Sequence, residues 1–184
     1  VELLCDRLDD DGFLSEDPAE LAASLGVSDA VISRALTELQ AFFRRVDTPA
    51  YQDRLDEAAA LIAKAERGFM IGIGNSGSIA EYGARYFSNM GKFALSVSDP
   101  FYPITVSNNI TMAAVLLSVS GETKEVLRVA QQLKGRNCSL IAITCSDESS
   151  LAKLADFTLP YFTPLRRNKT ENYDFTSQIP ALYL

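Results

Sequence analysis

The spacing of apolar positions changes character along the chain. Leu21, Ala22 and Leu25 fall on one helical face, and Val31, Ile32, Ala35, Leu36 and Leu39 form a second stripe of the same period. Asp17 is a predicted N-cap with Pro18 at the first helical position. Gly26 suits the left-handed turn that ends this helix, and Ser28 is placed to cap the next. A helix, a short Gly-containing turn and a second capped helix make a helix-turn-helix pattern. From residue 50 the pattern alternates between two periods. Apolar runs at Phe69–Ile73, Ala94–Val97, Ala114–Val119, Leu140–Thr144 and Phe157–Leu159 predict strands. Amphipathic stretches near 52–66, 77–90, 123–136 and 149–155 predict helices between them. Such alternation predicts an α/β fold, a five-stranded parallel sheet with helices on both faces. A small all-α segment precedes it. Pro49 disfavours helix at Thr48, which sets the expected boundary: a helix-turn-helix segment over 1–47 and an α/β domain over 48–184.

Composition narrows the picture. The 184 residues are 47% hydrophobic and 22% charged, which excludes collagen-like, low-complexity and wholly disordered chains. No apolar run reaches the ~18 residues of a membrane span, and no secretory leader opens the chain, so no membrane partner is expected. Cys5, Cys138 and Cys145 have no metal spacing and read as reduced thiols of a cytoplasmic protein. Histidine is absent, which excludes Ser-His and Cys-His catalysis and a His-based zinc site within this chain. No metal and no cofactor are expected. The chain starts at Val1 rather than Met and stops inside the apolar run Ile179–Leu184, as expected of a piece cut at both ends. A catalytic residue beyond the cut end would escape this reading.

The net charge of −7 is unevenly spread. Residues 1–45 hold ten acids and four bases, and the remaining 139 residues are nearly balanced. If the second helix of the helix-turn-helix reads DNA, its exposed early residues Ser28, Ser33 and Arg34 are the candidates, flanked by Asp29 and Ala30. Phosphate neutralisation dominates DNA affinity, so an acidic segment is also compatible with packing against protein.

Two predicted strands end in loops with anion-binding chemistry. The first is Gly72-Ile73-Gly74-Asn75-Ser76-Gly77-Ser78, opening a helix. Glycines let backbone approach a ligand closely, and helix N-terminal amides favour anions. Its Gly-x-Gly-x-x-Gly spacing also fits a dinucleotide site, with Asp99 roughly placed for a ribose, but the second loop argues against a nucleotide. That loop is Ser118-Val119-Ser120-Gly121-Glu122-Thr123. Three hydroxyls, a glycine and free helix amides exceed what one helix cap needs, and they predict a cradle for a phosphate monoester. The candidate ligand residues are Gly74, Asn75, Ser76, Ser118, Ser120, Gly121, Glu122 and Thr123.

With these loops, the strand Ile141–Thr144 and the stretch Ser149–Asp156, residues 51–184 resemble a sugar isomerase (SIS) domain, of flavodoxin-like architecture. The resemblance implies a phosphosugar site in which Ser76 orients the sugar and Ser118, Ser120 and Thr123 hold the phosphate around Gly121. Ser150 stands where that family usually has proline. A helix-turn-helix before an SIS domain resembles the RpiR family of bacterial transcription regulators, and Ser98-Asp99-Pro100 and Asp174–Gln178 also look like that family. Leu39–Phe43 departs from its usual sequence after the second helix. The resemblance implies a phosphosugar effector, operator DNA as partner and a homodimer or homotetramer. Two alternatives stay open. One is an SIS phosphosugar isomerase, whose base would be His or Glu; Glu122 and Glu125 are the available acids. The other is a polymerase-binding module, since Leu8–Leu14 and the helices after it resemble the core-binding region of RpoN-class sigma factors. Arg166, Arg167 and Lys169 either reach a phosphate or solvate a loop. Tyr82, Tyr86 and Phe87 are read as core or dimer interface, and Cys138 and Cys145 as buried small hydrophobes.

Overall fold

A computed structural model describes residues 17–105, 109–162, 167–168, 173–174, 176 and 178–184. The chain forms two compact units divided between Arg44 and Arg45. In the first, α1 (Pro18–Leu25) is capped by Asp17, whose side chain accepts the Ala19 N–H at 2.8 Å. Gly26 ends it at φ 65, donating its N–H back to the last turn. Helix α2 (Asp29–Val46) opens with the Ser28 carbonyl accepting from Val31 and Ile32, and it runs well past the predicted stripe. Leu21, Ala22 and Ile32 make a small core, with Leu25 and Leu36 packed against it.

The second unit begins with α3 (Pro49–Lys64), capped by the Thr48 hydroxyl with Pro49 in its first turn. There follow β1 (Arg67–Gly72), α4 (Asn75–Asn89), β2 (Ala94–Val97), β3 (Met112–Leu117), α5 (Lys124–Leu133), β4 (Cys138–Thr144), α6 (Ser150–Leu154) and β5 (Phe157–Pro160). A two-residue ribbon, β6 (Arg167–Asn168) with β7 (Tyr173–Asp174), and α7 (Ile179–Tyr183) complete it. The five long strands form one parallel sheet in the order β2-β1-β3-β4-β5.

Strand periodicity divides the side chains between two layers. Phe69, Ile71, Ala114, Leu116, Leu140 and Ala142 pack with Val126, Val129, Ala130 and Leu133 of α5 and Leu151 of α6. The alternate positions Met70, Val115, Leu117, Ile141, Ile143 and Leu159 face α3, α4 and α7 across a groove of about 880 Å³. Helices therefore cover both faces, as expected.

The predicted elements exist, with shifted ends. Strands β1, β3 and β4 begin two residues early, because Arg67, Met112 and Cys138 join the parallel ladder. Ile73 and Ser118–Val119 fall outside their strands, since the ladder between β1 and β3 ends at the Gly72–Leu117 pair. β5 includes Pro160, which an edge strand tolerates because it pairs on one side only. α3 starts at Pro49 rather than 52, and α5 stops at Leu133 rather than 136, where Lys134 and the left-handed Gly135 break the helix. Tyr82 and Tyr86 are more than half exposed and stack on one another, so they are not core, and with Phe87 they line the groove. Cys138 and Cys145 are buried, as expected of small hydrophobes. Burial pushes Cys138 from 9.0 up to about 12, with the Asp156 carboxylate acting in the same direction. Among the described residues no helix is long and apolar enough to cross a membrane.

Candidate functional site

Strand order reverses between β1 and β3, which lie side by side while their following helices go to opposite faces. In open α/β sheets this is where a crevice forms at the strand carboxyl ends. Both sequence-predicted loops are there.

The β1–α4 loop is shaped by close backbone contact. A Cβ on Gly72 would lie 2.3 Å from the Ser76 carbonyl oxygen, so α4 starts directly on the strand end. Gly74 adopts φ 61 and ψ −130, a conformation open essentially to glycine. Its carbonyl accepts from Gly77 and Ser78, and α4 has no side-chain cap. Gly74 and Asn75 are exposed, whereas Ser76 is buried against the strand end. Ser98, at the end of β2, packs beside Gly77 and donates to the Glu81 carboxylate. Asp99 turns Oδ1 to the Phe101 N–H.

The β3–α5 loop is braced internally. Ser118 is 2% exposed, and its Oγ accepts the Gly121 N–H at 3.1 Å and shares a 2.9 Å hydrogen bond with Thr123 Oγ1. Ser120 Oγ accepts the Glu122 N–H. Thr123 is the N-cap residue of α5, but its hydroxyl is turned to Ser118, so the first α5 amides have no side-chain cap. Gly121 sits at φ +68, and a Cβ there would be 2.3 Å from Ser149 Oγ and 2.9 Å from Thr144 Oγ1.

The loop is also tied to the next strand–helix junction. Val119 carbonyl accepts from the Cys145 N–H and the Thr144 hydroxyl. Leu151 N–H donates to the Gly121 carbonyl, and Ser150 N–H donates to Glu122 Oε1 at 2.8 Å. Sequence reasoning missed these partners, and only the Ser149–Asp156 stretch hinted at them. They spend the α6 amides on the loop, so α6 is a clamp rather than an anion site.

The structure thus brings Gly74, Asn75 and Ser76 to one side of the switch point and Ser118 to Thr123 to the other. The adjacent strand ends offer uncapped amides at two helix starts with hydroxyls beside them, which suits an anion carrying hydroxyl groups. Among the described residues no group of three or more His, Cys, Asp or Glu side chains is placed to hold a metal. In the other unit Ser28 is exposed just before α2, Ser33 and Arg34 are exposed on it, and Arg34 pairs with Glu38 at 3.4 Å. The Leu8–Leu14 segment, Cys5, Arg166, Lys169, Phe175 and Ser177 lie outside the described residues, as do the side chains of Arg167 and Asp174.

Comparison with known proteins agrees with this architecture. An uncharacterized HTH-type transcriptional regulator of Clostridium perfringens is 31% identical over 134 residues, 72% of this chain and 47% of that protein. The chain therefore matches about half the length of that relative. A 3-hexulose-6-phosphate isomerase of Methanocaldococcus jannaschii is 28% identical over 130 residues, 71% of this chain and 68% of that enzyme. The sugar isomerase domain of an RpiR transcription factor from Sphaerobacter thermophilus shares the fold, with TM-score 0.64 at 16% identity, covering 84% of this chain and 82% of that one. Residues 61–183 match the SIS domain family over well more than half of the sequence, and the chain belongs to that family.

Proposed function

We propose that this chain is the effector-sensing part of a bacterial, cytoplasmic transcription regulator of RpiR type, and that its effector is a phosphosugar. The observation that carries the reading is the pair of glycine–hydroxyl loops that leave the adjacent ends of β1 and β3 at the switch point. Ser120, Thr123 and the backbone around Gly121 hold the phosphate, with Ser118 as the buried brace that sets their spacing. Asn75 and Ser76 orient the sugar, and Glu122 anchors the loop. The regulator named among the relatives supports a sensing role. The α1–α2 pair contacts operator DNA through Ser28, Ser33 and Arg34, and the protein works as a homodimer or homotetramer. Sensing requires that the sugar bind the DNA-competent and DNA-incompetent arrangements with different affinity.

One observation favours a second reading, a phosphosugar isomerase: a relative carries that name. Isomerisation between aldose and ketose needs a base. The Glu122 carboxylate beside the loop already accepts the Ser150 N–H.

A melting-temperature screen against hexose, pentose and amino-sugar phosphates tests the reading. A ligand at 100 times its Kd stabilises by about 2.7 kcal/mol. A phosphate-dependent shift that Ser120→Ala weakens supports the cradle, and an unchanged affinity in that variant overturns it. Turnover of the stabilising sugar selects the isomerase reading, and its absence together with sugar-dependent DNA binding selects the regulator.

A further inference from the structure

Beside the turn that follows β2, a cavity of about 330 Å³ opens on the flank of α5. It is lined by the turn Pro100–Ile104 and by Arg128, Gln132, Leu133 and Arg136. This volume is at the lower end for small-molecule sites. Among the described residues no carboxylate lines the cavity, although acids outnumber bases 24 to 17 in the chain. Asp99, the nearest acid in sequence to the turn, is engaged by the Phe101 N–H.

Arg128 is held in place. One guanidinium N–H donates to the Pro100 carbonyl, and the group lies 4.8 Å from the centroid of the Phe101 ring. A guanidinium carries five N–H donors, so these contacts leave most of the fork unused. Arg136 and Gln132 are different. Among the described residues their side chains have no hydrogen-bond or ion-pair partner. Nor is Arg136 spent on closing α5, because the helix end is met by backbone donors, Lys134 N–H to Ala130 and Arg136 N–H to Leu133. Two cations in one concave site, with no carboxylate among its described lining residues, create a local positive potential in a molecule of net charge −7. Planar forks match phosphate oxygens in pairs, and a side-chain amide adds a neutral donor.

We propose that this cavity is a second anion site, which takes the phosphate group of a small metabolite. Arg136 and Gln132 donate to the phosphate oxygens, and Arg128 supplies a fixed positive charge. It shares no lining residue with the switch-point loops, and along α5 Arg128 lies ~7 Å and Gln132 ~13 Å from Thr123.

Titration of the full chain with inorganic phosphate, followed by amide chemical shifts, tests this. The expected result is saturable movement of the Arg128–Arg136 amides with its own dissociation constant. Ser120→Ala leaves that movement in place, whereas Arg136→Gln weakens it about tenfold or more, as loss of a charge-assisted pair does. Gln132→Ala is the second variant should Arg136→Gln disturb the amide spectrum as a whole. Stationary amides at 128–136 in the unaltered chain overturn the proposal, as does movement that both variants leave unchanged. Because the amides at 118–123 are read in the same titration, failure of either site is distinguished from failure of the other.

Discussion

At the scale of single residues, Gly121 is the most constrained position of the candidate site. Its φ of +68 and the 2.3 Å approach of Ser149 Oγ to any added Cβ act together. Gly121→Ala is expected to destabilise the protein by about 2–4 kcal/mol, from left-handed backbone strain and overpacking. Denaturant unfolding checks this. Ser149 also caps α6 by accepting the Ala152 N–H, so a displaced hydroxyl loses that bond as well. The glycines and hydroxyls of both loops were legible in the sequence, because their residue types have few other uses in that order. The division of labour among them was not. Nothing in the string Ser118–Thr123 distinguishes the buried Ser118 from the partly exposed Ser120, since burial depends on strands distant in sequence.

Among elements, the informative feature is the clamp between the β3–α5 loop and α6. The Glu122 carboxylate meets the Ser150 N–H across 28 positions of chain. Glu122→Ala is expected to cost about 1 kcal/mol, a charged hydrogen bond near a helix start discounted for its exposure. Hydrogen exchange at Ser150 and Leu151 should rise with it, while exchange in β4 stays unchanged. Apolar periodicity predicted β1–β5 and α1–α6, because each buries one stripe or two faces, whereas the β6–β7 ribbon and α7 went unpredicted. It could not predict the strand order, which is set by crossovers and not by any local pattern. The ends of elements moved for local reasons. Arg67 is polar and exposed yet pairs with Met112, since a parallel ladder extends wherever both backbones remain aligned.

For the molecule as a whole, two buried weak acids govern behaviour at high pH. Burial pushes Tyr51 from 10.0 up to about 12, against the opposing charge of Arg54, and Cys138 from 9.0 to about 12. Both are neutral in the folded protein, so their contribution is fully present below pH 9. It is lost as pH rises through the unfolded and then the folded values. Melting temperature is therefore expected to fall from about pH 9, levelling beyond about 12, and in Cys138→Ala the onset moves to about pH 10. Equal onset in both proteins would contradict the assignment. Glu66 acts at the other end of the scale. Its carboxylate accepts the Thr111 N–H and hydroxyl, which holds it below the usual range, so that contact is lost as pH falls through its folded value.

The Tyr51 hydroxyl donates to the Pro160 carbonyl, joining α3 to β5 across 109 positions of chain. That bond sets a schedule for biosynthesis. At ribosomal rates of about 5–20 residues per second, Tyr51 is made roughly 5–20 s before its acceptor. During that interval α3 has no edge strand to dock on, and the apolar face it shares with the growing sheet is open to chaperones.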